Sequence, residues 1–176
     1  MISLVYVFWM YVILFAIIGG LRGWAKELLV AFAAILALAV NYVLFKYIPV
    51  IKTLPGNSDA LFWVRVFIIV ALIYFGYQTV ISVAHLAAKG RSEKLQDSLF
   101  GIFLGAINGY LIAGSIFFYL HATEYQYFQK IIAPPTGGLL TTIQEMMNYM
   151  PPHLLGEPGI YFAIIIAFIF VLVVYI

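Results

Sequence analysis

Apolar and polar positions fall in long blocks along this chain. Five apolar runs, Ile2–Gly20, Leu28–Phe45, Leu61–Leu86, Ser98–His121 and Gly159–Ile176, alternate with connections that carry nearly all the ionisable side chains. Each run is close to or above the roughly 17–25 residues that a helix needs to cross a bilayer core. No water is present there to satisfy backbone N–H and C=O groups, so such runs are expected as α-helices. The pattern predicts an all-α integral membrane protein with two transmembrane helical hairpins, an interfacial amphipathic helix and a fifth, C-terminal transmembrane helix. Residues 1–121 form the four-helix core in this reading. Residues 122–158 form an extracytoplasmic connection with a short helix over 137–150, and 159–176 form the last span.

Finer spacing within the blocks predicts how the helices meet. Gly101, Gly105 and Gly109 recur at every fourth position and follow Asp97 at the same interval, so one stripe of the fourth span has almost no side chains. Close backbone approach over such a stripe is one of the few sources of packing energy between helices in lipid. Ala33, Ala37 and Asn41 make a small-residue face on the second span and are the candidate partner. In the connection before the last run, Ile143, Met146, Met147 and Met150 share a helical stripe with Leu139 and Leu140, opposite Thr141, Thr142, Gln144, Glu145 and Asn148. The flanking pairs Pro134-Pro135 and Pro151-Pro152 keep that helix separate from the spans. Its apolar stripe needs cover, either from the membrane–water interface or a neighbouring protein, or from the chain's own bundle.

Composition supports the membrane reading. Of 176 residues, 65% are apolar and 9% charged, and the mean hydropathy is +1.08, far outside the range of soluble domains. A net charge of +2 from nine Lys and Arg gives no basic field suited to nucleic acid. The absence of Cys removes disulfides, thiolate metal sites and iron–sulfur ligation. No Lys or Arg precedes the first run and no small-residue cleavage pattern follows it, so it reads as a retained anchor rather than a signal peptide.

Loop charge sets the expected orientation. Arg22 and Lys26 in the first connection and Lys89, Arg91 and Lys94 in the third make five cations on one side, against three on the other, Lys46, Lys52 and Lys130. The positive-inside rule then places the N-terminus outside and the C-terminus in the cytoplasm.

Candidate chemistry is sparse. No G-x-S-x-G, H-E-x-x-H or P-loop pattern occurs, and no acid lies near the middle of a run, which argues against an enzyme. His85 and His121 end different spans at opposite faces, His153 follows the second Pro pair, and nothing in the sequence implies a metal or cofactor. Arg65 is the sole charge inside an expected span; it snorkels to the headgroups, pairs with Asp59 or meets a lipid phosphate. Gln78, Ser82 and Asn108 are uncharged polar residues within spans, used either as interhelical hydrogen-bonding groups or as the lining of a narrow path. Asp97 is placed to cap the fourth span and to pair with Arg22, Lys26 or Arg91 across the hairpin tips.

Two segments carry a family resemblance. Gly20-Leu21-Arg22-Gly23-Trp24-Ala25-Lys26-Glu27-Leu28, together with Lys94-Leu95-Gln96-Asp97-Ser98-Leu99-Phe100-Gly101 and the following Gly105 and Gly109, resembles the colicin V production (CvpA) family of bacterial inner-membrane proteins. By position, Arg22 and Gly23 match the family's basic loop, and Asp97, Gly101 and Gly105 its Asp-Gly signature. Ser3 and Ser98 stand where the family commonly has an acidic and a basic residue. The resemblance implies four spans in two hairpins, an amphipathic segment after the fourth, and a link to bacteriocin (toxin) production and envelope physiology. The expected function is a non-catalytic scaffold or auxiliary factor of the inner membrane, acting through helix packing and lipid contacts, as a homo-oligomer or with other membrane subunits. An accessory subunit of a larger respiratory or photosynthetic complex, and a small channel or export component, are the alternatives.

Overall fold

Every backbone amide of so apolar a chain has to be paired within its own segment, and the computed structural model meets that demand with helices throughout. It describes residues 3–53, 58–87, 94–125, 132 and 135–175, side chains at 50, 52, 79–87, 94 and 174–175 excepted. Among the described residues the elements are α1 (Leu4–Arg22), α2 (Trp24–Tyr47), α3 (Pro49–Lys52), α4 (Asp59–Ala87), α5 (Lys94–Ala122), α6 (Gly138–Met147), α7 (Pro151–Leu154) and α8 (Gly159–Tyr175). There is no strand among them.

Four helices, α1, α2, α4 and α5, are long and apolar enough to cross a membrane. The fifth candidate span, α8, has 17 helical residues, which at the α-helical rise gives about 25 Å, short of a typical bilayer core of about 30 Å. It runs antiparallel to α2. Its start is tied there by Glu157, whose carboxylate accepts hydrogen bonds from the Tyr42 hydroxyl and the Lys46 ammonium, both at 2.5 Å, and by an edge-on contact of the Tyr42 and Tyr161 rings.

The first expected hairpin turns at Gly23, while the tip of the second, residues 88–93, lies outside the described residues, and the arms of neither pack extensively on each other. The most extensive helix contact is between α1 and α5, followed by α2 with α4 and α2 with α5, whereas α1 with α2 and α4 with α5 touch little. Half of the apolar stretch of α2 is buried against 17% of that of α1, so α2 is the central helix. Its Val30, Ala34, Ala37 and Leu38 meet Ile69 and Ile73 of α4 and Leu111 of α5 in one core cluster.

The glycine stripe explains this order. Gly101 and Gly105 lie against Gly19 of α1, Gly105 also against the Phe15 carbonyl, and Gly109 against Phe15 and Val12. The pairs run in opposite directions along the two helices, so α1 and α5 are antiparallel. A Cβ at Gly101 or Gly105 would collide with backbone of α1, and one at Gly109 would come within 2.9 Å of the Val12 Cα. The stripe therefore does not meet Ala33 and Ala37 of α2, the partner expected from spacing. Ala33 instead faces Gly76 of α4, where a Cβ would lie 2.6 Å from that of Ala33, and Ala37 is fully buried in the core. Both helices offered small faces, but only α1 carries a glycine at the level of the α5 stripe.

The amphipathic helix forms as α6, over a shorter range than 137–150. Its Ile143 and Met147, with Met150 just beyond, are buried in the chain's own core, and Met146 packs on that core half-buried. Pro151 closes on Gly114 of α5, and Tyr110 of α5 donates to the Tyr149 carbonyl. Of the covers open to the Met stripe, the bundle itself supplies it, so this stripe is not free to cap a neighbouring protein.

Candidate functional site

Close apposition of α1 and α5 leaves the connection between α1 and α2 without room for a loop, and one residue makes it. Gly23 has φ +87°, a left-handed conformation that side chains resist. A Cβ there would also come within 2.6 Å of the Asp97 carboxylate. Ending α1 and starting α2 so abruptly strands a carbonyl and an amide, and α5 satisfies both. The Ser98 hydroxyl donates to the Gly20 carbonyl at 2.8 Å, and the Trp24 amide donates to the Asp97 carboxylate at 3.1 Å. Asp97, in the first turn of α5, thus caps α2. Among the described residues it makes no ion pair with Arg22 or Lys26, and Arg91 lies outside them.

One turn further on, the same junction encloses a charge. Glu27, in the first turn of α2, has no exposed surface. Its Oε1 accepts from the Arg22 guanidinium at 2.8 Å and its Oε2 from the Asn108 amide at 2.8 Å; that amide also donates to the Glu27 carbonyl at 2.9 Å. Arg22 in turn stacks over the Tyr77 ring of α4 with its Cζ 4.2 Å from the centroid. Four helices therefore meet in one polar node: Arg22 closes α1, Glu27 opens α2, Tyr77 comes from α4 and Asn108 from α5. Because Glu27 offers only acceptors, Asn108 turns its donors to it, and the Asn108 Oδ1 remains buried without a partner.

Glu27 is absent from the residues singled out by sequence. The apolar run begins at Leu28, which assigns Glu27 to the connection and leaves Arg65 as the sole charge inside a span. The helix in fact starts at Trp24 and draws the carboxylate in. Two signals pointed there: Asn108, a lone amide in mid-span that needs a partner, and an acid in the turn after Arg22.

The other polar candidates separate. Asn108 is buried while Gln78 is exposed, so the two do not line a common path. Ser82 and His85 sit in α4 with side chains outside the described residues. Arg65 does not pair with Asp59; its guanidinium lies between the rings of Phe45 and Tyr119, 4.0 and 4.7 Å from their centroids. His121 and Tyr125 share a 2.7 Å hydrogen bond, and the His153 ring meets the Asn148 carbonyl at 3.0 Å. Tyr125, beyond the end of α5, has its phenol pushed up to about 12 by burial. Among the described residues no three His, Asp or Glu side chains gather as a metal site would require.

Apart from Tyr77 and Asn108, the node and the contacts that close it are built from Arg22, Gly23, Glu27, Asp97, Ser98 and the glycines after it, residues of the two segments that carry the resemblance. The family described as Colicin V production protein matches the chain over residues 5–134. The chain belongs to the colicin V production family. The matched range takes in α1 to α5 and stops before α6, so the node lies wholly inside the family region while α6, α7 and α8 lie beyond it. Neither the comparison with curated proteins nor that with solved structures gives a match. Family membership and four spanning-length helices make this a multi-pass membrane protein of the colicin V production type, with lipid against its apolar exterior.

Proposed function

We propose that this family member is a non-catalytic scaffold or auxiliary factor of the bacterial inner membrane, acting through helix packing and lipid contact, with its N-terminus outside. The observation that carries the reading is the closed state of the node. Both carboxylate oxygens of Glu27 are engaged by other helices, so the buried charge joins elements rather than presenting a reactive group. A general acid or base has to reach the proton it transfers, and this one is spent on Arg22 and Asn108. Fixed helix order is what a scaffold requires, since a partner reads the shape of the exterior. The α8 helix, outside the family region, adds a fifth membrane-embedded element to that exterior.

Solubilisation in mild detergent followed by native mass spectrometry tests this. The expected result is a species of fixed stoichiometry, either a homo-oligomer or a set with other membrane subunits. A strictly monomeric protein that conducts ions or solutes after reconstitution into vesicles would overturn the reading in favour of a channel.

A further inference from the structure

At the opposite end of the bundle from the node, a half-open cavity of about 160 Å³ lies between α2, α4, α5 and the turn into α8. Its volume is close to that of cavities that admit a benzene-sized group. Asn41, Phe45, Arg65, Tyr119, Pro152 and Ile160 are among its walls. Two features of the lining are incomplete. The Arg65 guanidinium, held between two rings, has no carboxylate partner among the described residues: Asp59 is exposed and unpaired with it, and Glu157 is taken by Tyr42 and Lys46. Asn41, 2% exposed, uses its Nδ2 on the Arg65 carbonyl at 3.3 Å, and its Oδ1 is buried without a partner.

Among the described residues that line the cavity, Arg65 alone is charged. An anion that accepts from a guanidinium fits it, and phosphate oxygens form strong charge-assisted bonds of this kind. The Asn41 oxygen needs the opposite, a donor held a short way from the anion. Position narrows the source. Arg65 stands about 9 Å along α4 from its first residue at 1.5 Å per residue, and exposed Trp63 and Tyr47 with Tyr161 ring this level as aromatic side chains do at the headgroups.

We propose that this cavity binds the phosphate of a glycerophospholipid whose headgroup also carries a hydrogen-bond donor, as ethanolamine and glycerol headgroups do. Arg65 holds the phosphodiester and Asn41 accepts from the ammonium or hydroxyl beyond it. The inference stands apart from the scaffold reading, since a channel or a complex subunit could hold the same lipid.

The test uses the full chain, delipidated in a neutral detergent and titrated with dioleoyl phosphatidylglycerol, phosphatidylethanolamine, phosphatidylcholine or inorganic phosphate, with binding read by native mass spectrometry and thermal shift. Phosphatidylglycerol and phosphatidylethanolamine are expected to bind in preference to phosphatidylcholine, whose quaternary ammonium has no N–H to give Asn41. Arg65→Gln is expected to weaken retention roughly tenfold, as loss of one charged hydrogen-bonding partner does, while Lys26→Gln, at the opposite end of the bundle, leaves it unchanged. Asn41→Leu is expected to abolish the preference over phosphatidylcholine. Equal retention by Arg65→Gln and the unaltered chain would overturn the site. Stabilisation by inorganic phosphate equal to that by lipid would overturn its assignment to a headgroup. Where Arg65→Gln does not fold, dioleoylglycerol decides on the unaltered chain: binding equal to that of phosphatidylglycerol overturns the proposal, and weaker binding supports it.

Discussion

Glu27 and Asp97 are carboxylates from different helices, α2 and α5, at the same junction, yet their energetic weights differ because their surroundings do. Asp97 accepts one backbone amide at a half-buried helix end, a capping contact worth typically about 1 kcal/mol. Glu27 is fully buried and holds two partners on different helices. Removing one member of a buried, hydrogen-bonded ion pair typically costs about 3–5 kcal/mol. Arg22 keeps 24% of its side-chain surface and can turn toward headgroups, which puts the cost of Glu27→Ala near the lower end. Thermal unfolding in detergent is therefore expected to show Glu27→Ala losing about threefold more stability than Asp97→Ala. Equal losses would mean that the node adds nothing beyond a cap. Ser98 belongs to the same comparison: it stands where the family commonly has a basic residue, and here its hydroxyl satisfies the Gly20 carbonyl.

Helices were more legible than their neighbours. Run length and hydropathy specify that α1, α2, α4 and α5 form, because lipid leaves the backbone no alternative. Pairing depends on which small faces lie at the same height, and spacing within one helix carries no information about height. The α5 stripe was thus visible from Gly101, Gly105 and Gly109, while its partner was not: Gly19 and Phe15 of α1 take the place expected for Ala33 and Ala37. Glu27 was missed for a related reason, since the edge of an apolar run does not mark the first turn of a helix. The antiparallel α1–α5 seam makes a direct prediction. A Cβ on Gly109 would stand 2.9 Å from the Phe15 Cβ, and disulfides need about 3.5–4.5 Å between these atoms, a gap that a small separation of the helices supplies. With no Cys in the chain to compete, Phe15→Cys with Gly109→Cys is expected to form an intramolecular disulfide in membranes on mild oxidation, and Ala33→Cys with Gly109→Cys is not. Cross-linking through position 33 instead of position 15 would reverse the helix order.

The two ends of the molecule differ in how their charges are used, and this gives the orientation a consequence. Arg22, Lys26 and Asp97 gather at the end formed by the first and third connections, which with Lys89, Arg91 and Lys94 carries the larger cationic count. At the other end Lys46 is bound to Glu157 and Arg65 is enclosed by rings. In the proposed orientation, with the loop cations retained in the cytoplasm, the Arg65 cavity lies at the outer leaflet. Two exposed positions report the arrangement: Gln96 at the start of α5 and Asn148 after α6. In intact cells a membrane-impermeant maleimide is expected to label Asn148→Cys and to spare Gln96→Cys until the membrane is opened. The opposite labelling would invert the protein, turn the node outward and move the phosphate-seeking cavity to the cytoplasmic leaflet, leaving the packing of α1 on α5 untouched.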